Sequence, residues 1–266
     1  MTAESNRAHT DSLGPRRFGT ADLQIHTSYG DGMADARELL ARIEERTDLD
    51  IIAVTDHDDV GGALLAREVH ARGNYSFDFV PGVELTTRAG HLLALWVDEP
   101  LRPLRPLGET VATIHRMGGV AVIPHPFSYL TRSVGQRALE RLIAEGDPET
   151  LPDGIEVANL TLAGRVTGAK ALRLNRERYG LAETGGSDAH FPEEVGTART
   201  VFAGTTAAEL RAAILARTTT GLRAHQVGLR TIGVRRLAAQ QVRGLSVTPK
   251  KVLGPHVRRL AGAVRR

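Results

Sequence analysis

Short, nearly continuous apolar runs are the strongest constraint on this chain. LDIIAVT from Leu49, GVAVIPH from Gly119 and GIEVAN from Gly154 are rich in β-branched residues and too short for helices. Strands covered on both faces read this way. Between them lie stretches with helical spacing. Ala36, Leu39, Leu40 and Ile43 mark one over 34–47, and others are predicted near 61–72, 107–117, 134–145 and 162–179. Further strands are expected at Ala21–Ile25, FDFVPGVELTT and HLLALWV, and Thr206 with Glu209 forms a capping-box pattern that opens the helix TAAELRAAILAR. Alternating short strands and helices predict an α/β fold, with ligands at the strand ends.

The chain has 266 residues, 41% of them hydrophobic, and no Cys. That length suits one large domain with a small appendage. Without Cys, disulfides and thiolate ligands are excluded, so any metal must be held by imidazole, carboxylate, amide or backbone oxygen. A cytoplasmic location is the expectation, since no apolar run is long enough for a signal or a membrane span. Charge is uneven. All 31 acidic residues lie at or before Glu209, whereas eleven of the 34 Lys and Arg follow residue 221. The predicted division is a disordered leader at 1–20, an α/β body at 21–221 and a basic, helical extension at 222–266.

Polar residues cluster where the predicted strands end: QIHTSYGD, VTDHDD, PGVE, IPHP and, near the end of the body, GGSDAH. With His91 these supply His26, Asp31, His57, Glu84, His125, Asp188 and His190. Imidazole suits Zn, Fe or Mn, and a carboxylate can hold two such ions together. Single histidines elsewhere (His9, His70, His115, His225 and His256) read as surface or hydrogen-bonding groups. Asp58 or Asp59 is expected to support a helix start.

In this order, TDHD, PGVE, HP and SDAH resemble the PHP (polymerase and histidinol phosphatase) domain, over about 21–203. The resemblance implies a distorted (βα)7 barrel with two or three divalent ions, Mn, Zn or Fe, at the C-terminal ends of its strands. It implies one ion at His26, Glu84 and Asp188, a second at Glu84, His91 and His125, and a third at Asp31, His57 and His190. Gln24 stands where the family has the first histidine of its opening HxH, so this ligand is weak or absent. Three outcomes stay open: an ion kept with Gln or water, a two-ion site, or a decayed one.

The activity implied is hydrolysis of a phosphomonoester by metal-activated water. Glu84, Asp188 and His190 are the catalytic candidates, and Arg88, Arg165 and Lys170 are the phosphate contacts. Substrates of similar proteins include phosphorylated small molecules such as histidinol phosphate, nucleotides and short oligonucleotide ends. A different reading is a degenerate domain that binds nucleic acid through the 222–266 extension, where Arg and Lys pairs alternate with apolar residues. That extension has no aromatic residue for base stacking, and docking on the acidic body is its other expected role.

Overall fold

The protein is described as a computed structural model covering residues 17–224 and 227–245. Nine strands form one sheet in the order β7-β6-β5-β4-β3-β2-β1-β8-β9. β1 (Phe18–Ile25), β2 (Ile51–Val54) and the first half of β3 (Asp78–Thr86) run parallel. β4 (His91–Leu95) is antiparallel to both its neighbours, and β5 (Val120–Ile123), β6 (Gly154–Ala158) and β7 (Ala182–Gly185) are parallel again. β8 (Ala198–Ala203) returns antiparallel beside β1 and carries β9 (Thr220–Arg223).

The two ends of this strand order meet. Gly185 N donates to Thr200 Oγ1 (2.9 Å), the Thr200 hydroxyl donates to Gly185 O (2.9 Å), and Thr219 Oγ1 donates to Glu183 O (2.7 Å). The sheet is therefore a nearly closed barrel, as the α/β reading requires, with β1–β7 in chain order.

The helices cover the barrel with the faces their spacing dictates. α1 (Ala36–Arg46) buries Ala36, Leu39, Leu40 and Ile43, and Asp35 caps it by accepting from Glu38 N at 2.9 Å. α2 (Gly61–Arg72), α3 (Leu107–Arg116), α4 (Gln136–Glu145) and α5 (Leu162–Leu174) occupy the expected stretches. α5 runs on into a π-helical turn, Asn175–Tyr179, stopped at Gly180 in the left-handed region. α6 (Ala207–Leu215) starts with the Thr206–Glu209 capping box. The all-buried run Ile51–Val54 is a strand covered on both faces.

Two boundaries differ from the sequence reading. Phe18–Thr20 belong to β1, paired with Ala203, Phe202 and Val201 of β8, so the body starts inside the expected leader. The division after 221 falls within β9, where Leu222 and Arg223 pair with Arg199 and Ala198. Beyond β9 come a short α7 (Leu229–Ile232) and a helix over 234–245, here α8. The rest of the expected leader and extension, 1–16, 225–226 and 246–266, lies outside the described residues. Among the described residues no helix is long and apolar enough to cross a membrane.

Candidate metal centre

Strand ends deliver the polar cluster to one mouth of the barrel. β1 stops at Ile25, and His26 N donates to Ala189 O (2.9 Å), which draws the loop after β7 against it. Thr27 donates through both N and Oγ1 to Asp56 (2.7 and 2.6 Å), tying the β1 loop to the β2 loop. The chain then turns so tightly that a Cβ on Gly32 would collide with the His26 carbonyl, and this turn presents Asp31 inward. Asp58, His125 and Asp188 all hold positive φ, at 54°, 31° and 55°. Such backbone costs about 1–3 kcal/mol per residue, and functional sites concentrate it.

Glu84 reaches the centre because β3 changes partner. It pairs with β2 up to Pro81, which has no N–H to extend that ladder, and with β4 from Gly82. Glu84 then bridges across to His57 beyond the end of β2. Its Oε1 lies 2.8 Å from His91 Nδ1 and 3.0 Å from His125 Nε2, and its Oε2 lies 3.2 Å from His26 Nε2 and 3.4 Å from His57 Nδ1. Asp188 Oδ1 is 3.1 Å from His26 Nε2, and Asp31 Oδ2 is 3.3 Å from His190 Nε2. Three groups with mutually close ligand atoms result: His26, Asp31, His57 and His190; His57, Glu84 and His91; His26, Glu84 and Asp188. His26 and Glu84 side chains are fully buried, while those of His190, His57 and His91 keep 18%, 13% and 12% of their exposure. The cluster therefore opens on that second set.

Burial opposes every charge here, and the neighbours decide the outcome. Glu84 is held well below the usual carboxylate range despite its burial, because His57 and His91 lie beside it, His125 hydrogen-bonds to it and His26 stands close by. Burial acts against His26 and His125 in turn. The hydrogen bond to Asp188 and the nearby Glu84 and Asp31 carboxylates raise His26 well above its ordinary value, and Glu84 raises His125 to about 9. Burial wins at His57, with help from the charges of His26 and His91, and lowers it to about 4. Asp31 stays low against burial through its bond from His190 and the charges of His190, His26 and His57.

These residues fit divalent ions. His26 Nδ1, Asp31 Oδ1, His57 Nδ1, Glu84 Oε2 and His91 Nδ1 are buried without a hydrogen-bond partner. Buried polar atoms are almost always paired, and five orphans around one carboxylate are what a set of cation ligands would leave. His91 Nδ1 and Glu84 come within 2.8 Å yet make no hydrogen bond, as two donors aimed at a shared ion would. The orientation of one ring is fixed by its second nitrogen: His190 Nδ1 lies 2.9 Å from Asp188 O, a pure acceptor, so Nδ1 carries a proton and Nε2 faces Asp31.

Gln24 is fully buried, and neither Nε2 nor Oε1 has a partner. A Cβ placed on Gly186 would lie 3.0 Å from Gln24 Cβ and 2.7 Å from Glu156 Oε1, so Gln24 and Glu156 flank that glycine. The sequence reading passed over Glu156. Its Oε2 accepts from His125 N (2.7 Å) and Asn159 Nδ2 (2.9 Å), and burial pushes its pKa up to about 8 against the charge of His125. Ser133, Thr131 and Glu194, which brace the cluster, were passed over as well and lie outside any motif. Asp56 lies inside TDHD, but its bracing of Thr27 was not foreseen.

The other expected residues are elsewhere. Arg88 Nε donates to Leu104 O (3.0 Å), Arg165 Nε donates to Leu160 O (2.8 Å), and Lys170 Nζ stands 5.5 Å over the Phe127 ring. Asp59 accepts from Gly61 N (2.8 Å) where α2 begins, whereas Asp58 accepts from Thr86 N and Oγ1 instead. His70 and His115 are hydrogen-bonding groups: His70 Nε2 meets Phe77 O (2.8 Å), and His115 bridges Glu149 O and Asp153. His9, His225 and His256 lie outside the described residues.

A family model described as PHP-associated matches residues 170–219, the stretch that contains SDAH. Around it, the barrel superposes on a two-domain protein from Bacteroides vulgatus containing a predicted PHP-like metal-dependent phosphoesterase. The TM-score is 0.60 at 20% identity, over 86% of this chain and 70% of that one. The closing stretch is thus similar to PHP-associated proteins, and the barrel has the fold of a PHP-like one. Among curated relatives, MJ1587 of Methanocaldococcus jannaschii is 26% identical over 150 residues, 52% of this chain and 81% of that protein. The 5′-3′ exoribonuclease Rnm of Salmonella typhimurium is 35% identical over 66 residues, which span 25% of this chain and only 22% of Rnm. The likeness in fold therefore extends over most of this chain, and the Rnm likeness over a short part of it.

Proposed function

We propose that this PHP-like protein is a divalent-metal-dependent phosphoesterase that hydrolyses phosphomonoesters. The observation that carries this reading is the set of five buried, unpartnered ligand atoms around Glu84. His26, Asp31, His57, Glu84, His91, His125, Asp188 and His190 would hold two or three ions, Mn, Zn or Fe, and Gln24 would be a weak ligand of one. Such ions supply Lewis acidity, activating water and neutralising phosphate oxygens.

The side chains divide the remaining work. Glu84 keeps a negative charge at the centre, where its contacts with four imidazoles hold the ligand set together. Asp188 orients His26 through Oδ1 and His190 through its carbonyl. His190 is the most exposed of the cluster's histidines; in a two-ion centre, where its Nε2 would hold no metal, it would pass a proton from Nε2 to the leaving oxygen. Arg88, in the turn between β3 and β4, and Arg165, in the first turn of α5 after β6, both follow strand ends. With Lys170 they are the phosphate contacts of this reading. The Cys-free sequence agrees with a cytoplasmic setting.

The 66-residue likeness to Rnm favours a second reading, in which the phosphoester is an oligonucleotide end. Metal-replete protein assayed on p-nitrophenyl phosphate, nucleotides and 5′-phosphorylated oligonucleotides tests both. Release of phosphate that stops on chelation is expected. No turnover on any of these substrates by protein with bound metal would overturn the proposal.

A further inference from the structure

α8 is anchored to the two loops that carry Asp31 and His190. Arg243 donates through Nε to Gly30 O (3.0 Å) and through Nη2 to Ser28 O. Seven residues earlier, Arg236 forms a two-point pair with Glu193 (3.0 and 3.2 Å) and lies 5.1 Å over the Phe191 ring. Arg236, Gln240 and Gly244 recur at helical spacing on one face. Ile232, just before the helix, and Gln240 are buried. A Cβ on Gly244 would lie 3.2 Å from Asp31 Oδ2 and 4.0 Å from Gln240 Nε2, so a cluster carboxylate, a glycine backbone and an amide share one small space.

We infer that α8 is a wall of the metal centre and that it restricts the site to small phosphomonoesters. This rests on the phosphoesterase reading and names its substrate class. A site that tracks a polynucleotide needs a line of cations and stacking rings. The inward face of α8 offers neither. Arg236 and Arg243 are engaged by the body, and Gln240 and Gly244 present an amide and bare backbone beside Asp31. A chain passing over this rim would meet the helix, whereas a compact ester reaches the exposed edge at His57, His91 and His190.

The test compares AMP with a short 5′-phosphorylated single strand, using Mn²⁺-loaded full chain. Wild type should favour AMP in kcat/KM, and the double variant R236A/R243A should raise oligonucleotide turnover relative to AMP by about tenfold. Amide exchange across 27–32 and 190–194 should quicken in that variant, showing that the helix has been released. An unchanged ratio despite faster exchange would overturn the wall and leave the phosphoesterase reading intact. A wild-type preference for the oligonucleotide that disappears on release would make α8 a nucleic-acid clamp, and the inference would be wrong. Hydrolysis of neither substrate removes the phosphoesterase reading and this inference with it. Should the double variant fail to fold, Gly244→Val decides: a side chain pressed on Asp31 should weaken Mn²⁺ binding about tenfold by calorimetry. Unchanged affinity would mean that α8 does not border the metal.

Discussion

Ser133 donates its hydroxyl proton to the carbonyl oxygen of His125, 2.7 Å away. That proton is therefore unavailable to the ring, and the 2.9 Å contact between Ser133 Oγ and His125 Nδ1 must have the imidazole as donor. Nε2, 3.0 Å from Glu84, is left as the nitrogen that faces an ion. Ser133→Ala should weaken divalent-metal binding about tenfold by calorimetry, and Ser133→Thr should restore most of it. Equal affinity in all three proteins would show that the hydroxyl does not position the ring.

Glu84 touches four imidazoles, so its charge supports both metal binding and histidine protonation. Glu84→Gln should lower metal affinity by at least about 100-fold. In the metal-free variant His125 should titrate below its wild-type value of about 9, since a cation that loses an anionic partner gives up its proton more readily. Proton NMR of the imidazole signals measures this directly, and a His125 signal that stays in place would contradict the electrostatic account.

Gln24→His offers an imidazole where two buried amide atoms have no partner. Elemental analysis should show a higher ion count, or the same count retained at lower free metal. Neither change would mean that position 24 does not approach the first ion.

Bound metal should stabilise the fold as any ligand of the native state does. At free Mn²⁺ about 100 times the dissociation constant, the gain is about 2.7 kcal/mol. A melting temperature indifferent to chelator would refute tight binding by the folded protein.

Away from the cluster, His115 lies between two acceptors, Nδ1 2.9 Å from Glu149 O and Nε2 3.0 Å from Asp153 Oδ2. Only the doubly protonated ring can donate to both, and the Asp153 contact raises its pKa despite partial burial. A raised histidine pKa gives stability that is complete below the unfolded value of about 6.5 and is lost as pH rises through the folded value. The group is partly solvent-screened, so about 0.5 kcal/mol is expected. Urea unfolding with chelator should show His115→Gln to be costlier near pH 6 than near pH 9. A pH-independent cost would assign the effect to packing alone.

The cluster was legible because metal chemistry leaves few residue types to choose from, and each appears shortly after an apolar strand. His26, His57, His125, Asp188 and His190 were singled out in this way, and the fold brings them together. The bracing groups were not, because Ser133, Glu156 and Glu194 act through spatial neighbours that no short spacing encodes. The ends of the sheet were missed for a related reason. β9 is largely exposed, with the pattern TGLR, and β8 buries the polar Thr200 among its apolar residues, so neither carries a clear hydrophobic period. Pairing with β1 and β7 makes them strands, and pairing is not a local property.

β1 lies between β2 and β8, and His26 meets Asp188 across 162 positions of chain. On the ribosome, the first donor therefore emerges long before its last partner exists. Until residue 190 has been made, the sets that include His26 and Asp31 lack their last members, and long-range closure of this kind is slow. Metal choice at those positions would thus be left to a nearly finished barrel. It would turn on geometry and on which ions the cell supplies at that moment, not on which nascent histidine captures one first.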